Sequence, residues 1–331
     1  MTTAMRDAWA QTLIDLAGDN PDLLVLDGDL GTSTRADRFA AAWPDRFLQM
    51  GIAEQNMVGV AAGLATLGYI PWLSSFAVFL THRAVDPVRM LVAQTHANVK
   101  IGAAYTGLLT GFTGKTHQDV EDLAIMRAMP GMTVIAPGDA TECAAAVRWA
   151  TATQGPVYLR LARDAGPDLF DGSYVFEPGR VIPLRAGSDV LLVSTGPQTA
   201  RCLEAAEMLA TSGFSAGVLH VPCLKPVDAA AILAAARGVR LVVTVEEHTI
   251  LGGVGGLVAE ILTEHEPRQL VRIGIADTWG ESAPNAFLLD RHGLSAERVA
   301  ERVLAEWARH TDRPVVPATG PSMSPNTRVS R

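Results

Sequence analysis

Two trains of short apolar runs, each run followed by a longer amphipathic segment, constrain this chain to an α/β fold. The first train opens with a helical pattern over residues 5–16, then Leu23-Leu24-Val25-Leu26, which ends in the turn Asp27-Gly28-Asp29. It continues with a helix over about 54–67, a strand near 69–73, a helix over 81–95, a strand at 99–102 and a helix around 119–128. A strand at 132–136, a helix over 139–152 and a strand at 157–161 complete it. Runs this short have strand length, and strands alternating with helices predict a mostly parallel sheet covered on both faces.

Periodicity fails between about 164 and 186, where Gly166-Pro167, Asp171-Gly172 and Pro178-Gly179 mark an irregular connector. A second α/β train follows, with strands at 189–194, 215–220, 240–245 and 270–275 and helices at 198–211, 228–236, 254–264 and 295–309. The expected organisation is a first domain at 1–165, a linker at 166–187 and a second domain at 188–310. Residues 311–331, rich in Pro, Thr and Ser, read as a disordered tail. With 331 residues, 48% of them hydrophobic, each domain can bury a core of its own.

Composition excludes several function classes. A formal net charge of -8 argues against nucleic acid as a partner, because phosphate-backbone binding needs clustered Lys and Arg. Cys143, Cys202 and Cys223 are widely spaced and form neither a disulfide framework nor a CxxC pair, so they read as core thiols in a reducing compartment. The N-terminus lacks the pattern of an export leader, and the expected location is the cytoplasm. From Gln55 to Thr81 no residue is charged, yet Gly59, Gly63, Gly68 and Pro71 break that stretch into a buried helix, a turn and a strand rather than a membrane span. The run Gly252-Gly253-Val254-Gly255-Gly256 fails GxGxxG because Val258 stands where the last Gly belongs; close helix–strand packing is its expected use.

The most informative segment is Gly51-Ile52-Ala53-Glu54-Gln55-Asn56-Met57-Val58-Gly59, in which Glu54 opens an otherwise uncharged helix. A carboxylate entering apolar surroundings is retained mainly where a partner hydrogen-bonds to it, although interaction with the helix macrodipole accounts for it equally well on these residues alone. This segment resembles the pyrimidine-binding domain of the transketolase family. Ser75-Phe76-Ala77-Val78-Phe79-Leu80-Thr81-His82-Arg83-Ala84 is similar to that family's aromatic strand-to-helix stretch, and Gly114-Lys115-Thr116-His117-Gln118-Asp119 to its substrate loop. Val243-Thr244-Val245-Glu246-Glu247-His248 followed by Gly252-Gly253 resembles its C-terminal domain, and the similarity runs from about residue 5 to 305.

The resemblance implies a thiamine diphosphate enzyme in which Glu54 hydrogen-bonds N1′ of the aminopyrimidine, favouring the 4′-imino tautomer that deprotonates thiazolium C2. It implies that Phe76 and Phe79 flank the pyrimidine, with Asp29 and His82 also on the cofactor side. His117 would hydrogen-bond the donor carbonyl and assist proton movement, while Arg163 and Ser33 would contact a substrate phosphate. Without the resemblance, two Phe at this spacing read as core, His117 and Arg163 as surface residues and Ser33 as a helix start.

Two positions depart from the family pattern. Thr113, in Gly111-Phe112-Thr113-Gly114, stands where a sugar-binding acid is common, and Tyr105 stands where a phosphate-contacting His is usual. Both remain candidate substrate contacts, and the expected donor is a phosphorylated or otherwise modified ketose, with the usual pentose phosphate pair not assumed. No Gly-Asp-Gly followed some distance later by Asn occurs, so no residue of this chain is assigned to Mg²⁺. The metal and the diphosphate are expected on an N-terminal partner subunit, in an α2β2 assembly acting on small-molecule sugars. Two other readings stay open: the β subunit of a 2-oxoacid dehydrogenase and a non-catalytic domain that binds a partner.

Overall fold

The computed structural model describes residues 3–311 and contains two mostly parallel sheets flanked by helices. The stretch 312–331, read from sequence as tail, lies outside the described residues. The first sheet takes β1 (Leu23–Asp27), β2 (Phe47–Gln49), β3 (Ile70–Phe76), β4 (Lys100–Ala104), β5 (Thr133–Ile135) and β6 (Val157–Leu161). The second takes β7 (Ile182–Arg185), β8 (Val190–Ser194), β9 (Ala216–His220), β11 (Leu241–Thr249) and β12 (Leu270–Ile275), while β10 (Cys223–Lys225) returns to the first. Their orders are β10-β5-β6-β4-β3-β1-β2 and β12-β11-β8-β9-β7, and among the described strands only β10 and β7 pair antiparallel, each at an edge.

Burial explains the parallel core: every residue of β1, β4, β6, β8 and β9 is buried, as expected of strands covered on both faces. One layer packs Trp9 and Leu13 of the N-terminal helix Met5–Asp19 against Trp72, Phe39 and Cys143. The two Trp rings meet edge to face at 6.3 Å. The three thiols are buried and unbridged, and burial pushes them up, Cys223 to about 11 and Cys202 to about 12. Among the described residues no helix is long and apolar enough to cross a membrane.

Several elements differ from the sequence reading. The stretch read as connector contains β7, which pairs with β9, so part of residues 166–187 belongs to the second sheet. The short elements β2, β10 and the helix Asn285–Arg291 were not expected, and the helix start read at Ser33 falls inside the short helix Gly31–Thr34, which is followed by Ala36–Ala42. The helix expected over 81–95 is two widened turns, Phe79–Arg83 and Val88–Ala93, on either side of Val85–Pro87. Bonds from the Ala84 N–H to the Phe79 carbonyl and from the Gln94 N–H to the Arg89 carbonyl span five residues instead of four, an adjustment that surrounds Pro87, which has no N–H to give. β11 extends past 245 to Thr249, carrying Glu246, Glu247 and His248 into the interior.

Candidate functional site

The carboxyl ends of β1, β3 and β4, three neighbouring strands, deliver Asp27, Phe76 and Tyr105 to one edge of the first sheet, where α/β folds place ligands. Glu54, the first residue of the helix Glu54–Thr66, is fully buried. Its Oε1 accepts from the Ser75 hydroxyl at 3.1 Å, and its Oε2 accepts from Arg83 Nη1 at 2.5 Å. Gly28 suits this close approach: a Cβ there would stand 3.0 Å from Ser75 Oγ and 3.3 Å from Glu54 Oε1, tight enough to press on both. Beside it Asp27, raised by burial, accepts from the Leu30 N–H at 2.9 Å, the Ser74 hydroxyl at 3.0 Å and Gln49 at 3.3 Å, which shapes the turn after β1.

Phe76 and Phe79 lie nearly parallel, 16° apart with centroids at 6.0 Å. Tyr105 stacks on Phe76 at 4.0 Å, and the half-buried His117 ring meets Phe76 and Phe79 edge-on at 5.9 and 5.5 Å. His117 Nδ1 is 2.8 Å from the Thr116 hydroxyl. The column of rings carries a cation at each end. Arg83 sits 4.3 Å over Phe79, and Arg6 and Arg163 sit 5.7 and 5.4 Å from the Tyr105 centroid. Arg6 Nη1 donates to the Tyr105 hydroxyl at 3.0 Å and to the Ser33 carbonyl at 2.7 Å, which gathers Arg6, Ser33, Tyr105 and Arg163 into one group. Among the described residues neither Arg6 Nε nor Arg163 Nε has a hydrogen-bond partner, although both are buried.

Three candidates stand apart from this column. Asp29 is exposed in the left-handed region at φ 67°, and its N–H donates to Gln49 Oε1 at 3.1 Å. Thr113 is exposed and its hydroxyl turns back to the Thr110 carbonyl at 3.2 Å. His82 faces Asp119 and Glu121, with Nε2 at 3.7 and 3.9 Å from their oxygens, and Asp119 raises its pKa. That trio brings nitrogen and carboxylate ligand atoms within 4.8 Å of one another, a set suited to transition metals more than to Mg²⁺. Sequence reasoning missed Arg83, Ser75 and Arg6. Arg83 had a signal, as one of the first ionisable residues after the uncharged stretch; Arg6 had none, since it meets Ser33 from a different helix.

Family models match nearly the whole chain: the transketolase pyrimidine binding domain over residues 1–168 and the transketolase C-terminal domain over 179–299. The chain belongs to the transketolase family. It is 41% identical over 308 residues to a putative transketolase C-terminal section from Methanocaldococcus jannaschii, covering 92% of this chain and 96% of that protein. It is 38% identical over 295 residues to a 6-deoxy-6-sulfo-D-fructose transketolase subunit from Clostridium sp., covering 89% and 92%. A solved split gene transketolase, described as an inactive beta4 tetramer, superposes with a TM-score of 0.84 at 43% identity, covering 92% of this chain and 98% of that one. The two sheets are thus those of transketolase pyrimidine and C-terminal domains, and the proteins it matches over most of their length include a transketolase C-terminal section, a transketolase subunit and a split gene transketolase.

Proposed function

We propose that this chain is one subunit of a two-chain, thiamine diphosphate-dependent transketolase, moving a two-carbon ketol unit from a ketose to an aldehyde. The observation that carries the reading is a fully buried carboxylate, Glu54, next to the near-parallel rings of Phe76 and Phe79. That donor set fits an aminopyrimidine: a flat heterocycle gains burial against the rings, and Glu54 supplies an acceptor for a protonated ring nitrogen. When bound, thiamine diphosphate supplies the nucleophilic carbon that carries the transferred unit. Mg²⁺ and the diphosphate belong in this reading to an N-terminal partner subunit in an α2β2 assembly.

The chain's own residues divide the remaining work. Glu54 holds a proton at N1′, with Asp29 and His82 on the same side of the cofactor. His117, fixed edge-on by two Phe rings, moves protons at the substrate oxygen. Arg6, Arg163 and Ser33 around Tyr105 grip the donor's anionic end, and the two unpartnered Nε–H groups favour a phosphate or sulfonate there. Thr113 faces the sugar hydroxyls in this scheme. The sulfonated ketose in the name of one relative supports an anion of this kind.

The test is ketol transfer by the chain mixed with its N-terminal partner, using sulfonated and phosphorylated ketose donors. Turnover requires both chains and added thiamine diphosphate, and Glu54→Ala lowers kcat by roughly a hundredfold or more. Arg6→Gln raises KM for the anionic donor by about ten- to a hundredfold, the worth of a charged hydrogen bond, and leaves a neutral ketose unaffected. Turnover of a 2-oxoacid with a lipoyl acceptor, or no turnover at all, would replace this reading.

A further inference from the structure

The two oxygens of Glu54 are not equivalent. Oε1 faces the interior, where Ser75 is fully buried and Gly28 closes in. Oε2 faces the Arg83 side chain, which is 40% exposed, so this is the side from which a ligand reaches the carboxylate. Arg83 there does two things at once: its Nη1 donates to Oε2 at 2.5 Å, and its guanidinium lies 4.3 Å from the Phe79 centroid. A flat cation thus rests on an aromatic face with its N–H edge on the buried carboxylate. An aminopyrimidine protonated at N1′ is likewise a flat cation that can lie on an aromatic face and direct an N–H at the carboxylate.

We propose that Arg83 is a placeholder for the aminopyrimidine: it neutralises Glu54 and has to swing out before the ring can take Oε2. The inference rests on the assignment of Glu54 to N1′ made above. Its physical basis is the cost of a buried carboxylate without a partner, which makes a substitute cation necessary whenever the ring is elsewhere. Leaving is easy by comparison, since the guanidinium is already part-solvated. The Arg83 backbone stays put, its carbonyl held by Gln55 Nε2 at 2.9 Å and its turn by the bond from the Ala84 N–H to the Phe79 carbonyl. His82 does not compete for Glu54, because it faces Asp119 and Glu121.

A placeholder stabilises the subunit and opposes the cofactor, so its removal has effects of opposite sign. In Arg83→Met the thermal midpoint of the full chain alone falls. Calorimetric titration of thiamine diphosphate into the mixture with the partner subunit, at fixed Mg²⁺, gives a Kd about five- to tenfold tighter than wild type, the factor recovered when a dominant competing state is removed. Arg83→Lys, which keeps the charge but not the plane, falls between the two and serves if the Met variant does not fold. A Kd that is unchanged or weaker in both variants would make Arg83 a permanent anchor and overturn the proposal. Glu54→Gln separates the two levels: wild-type cofactor binding by that variant would overturn the assignment of Glu54 itself.

Discussion

Glu246 shows how burial alone can govern a carboxyl. Its two oxygens accept the N–H groups of Val254 and Gly255 at 2.7 and 2.9 Å, at the start of the helix Val254–His265. Those bonds, with Arg160 and Arg272 beyond them, favour the anion, yet burial outweighs them and pushes the group up to about 8. Unfolded, the group titrates near its ordinary value of 4.5. Between 4.5 and 8 the native state therefore holds a proton that the unfolded chain has lost, and stability falls as pH rises through that window. The contribution is on the order of 5 kcal/mol across the window. Urea titrations from pH 4.5 to 8 should lose that slope in Glu246→Gln, whatever the absolute cost of the amide; an unchanged slope would assign the pH dependence elsewhere. At this scale the sequence was partly legible. Glu54 stood out as the charge opening an uncharged helix, whereas Glu246, in a short acidic pair, gave no sign that the strand carries it inside. Asp27 was invisible as well, because its significance lies in Ser74 and Gln49, which only strand pairing brings near.

Among the elements, the long periodic ones were legible because a buried face repeats along them. The short ones were not, since their partners rather than their composition define them: β7 exists through β9, and β10 through β5. The widened turn Phe79–Arg83 hides for a related reason, an extra residue per turn that leaves the apolar pattern intact while re-aiming Phe79, His82 and Arg83. The glycine-rich run was legible in purpose. A Cβ on Gly253 would lie 2.0 Å from Glu246 Oε2 and 2.6 Å from His248 Nδ1, so the helix start approaches β11 only with glycine there. Gly253→Ala should cost about 1–3 kcal/mol by overpacking. Gly63, inside the helix Glu54–Thr66 with open space around its Cα, is the contrast: Gly63→Ala should stabilise the isolated chain by about 0.5–1 kcal/mol through backbone entropy. Chemical denaturation of the two variants side by side checks both signs, and equal costs would show that close approach is not what the run provides.

At the scale of the whole molecule, the two sheets are joined by buried charge as well as by apolar contact. Arg160 of β6 donates through Nε to Asp122 at 2.8 Å and through Nη2 to the Glu247 carbonyl of β11 at 3.0 Å. Tyr158 also donates to Asp122 at 2.8 Å, and Glu247 Oε1 accepts the N–H groups of Leu108 and Leu109 at 2.7 and 3.0 Å. A second link pairs His220 of β9 with Glu142 at 2.7 Å, Thr199 holding the other ring nitrogen at 2.7 Å and Tyr174 donating to Glu142. These partners lie far apart in sequence, so neither link could be read from spacing. Separating the domains takes Arg160 from the Glu247 carbonyl, Glu247 from two N–H groups and Glu142 from His220, leaving buried polar groups without partners on both sides, so the chain should unfold as one unit, with calorimetric and van't Hoff enthalpies equal. Arg160→Met leaves Asp122 without its cation and should cost about 3–5 kcal/mol. That variant keeps one transition, because the Glu142–His220 link still spans the domains; adding His220→Leu should split it in two. Two transitions in the wild-type chain would mean instead that the apolar layers, not the charge links, define the cooperative units.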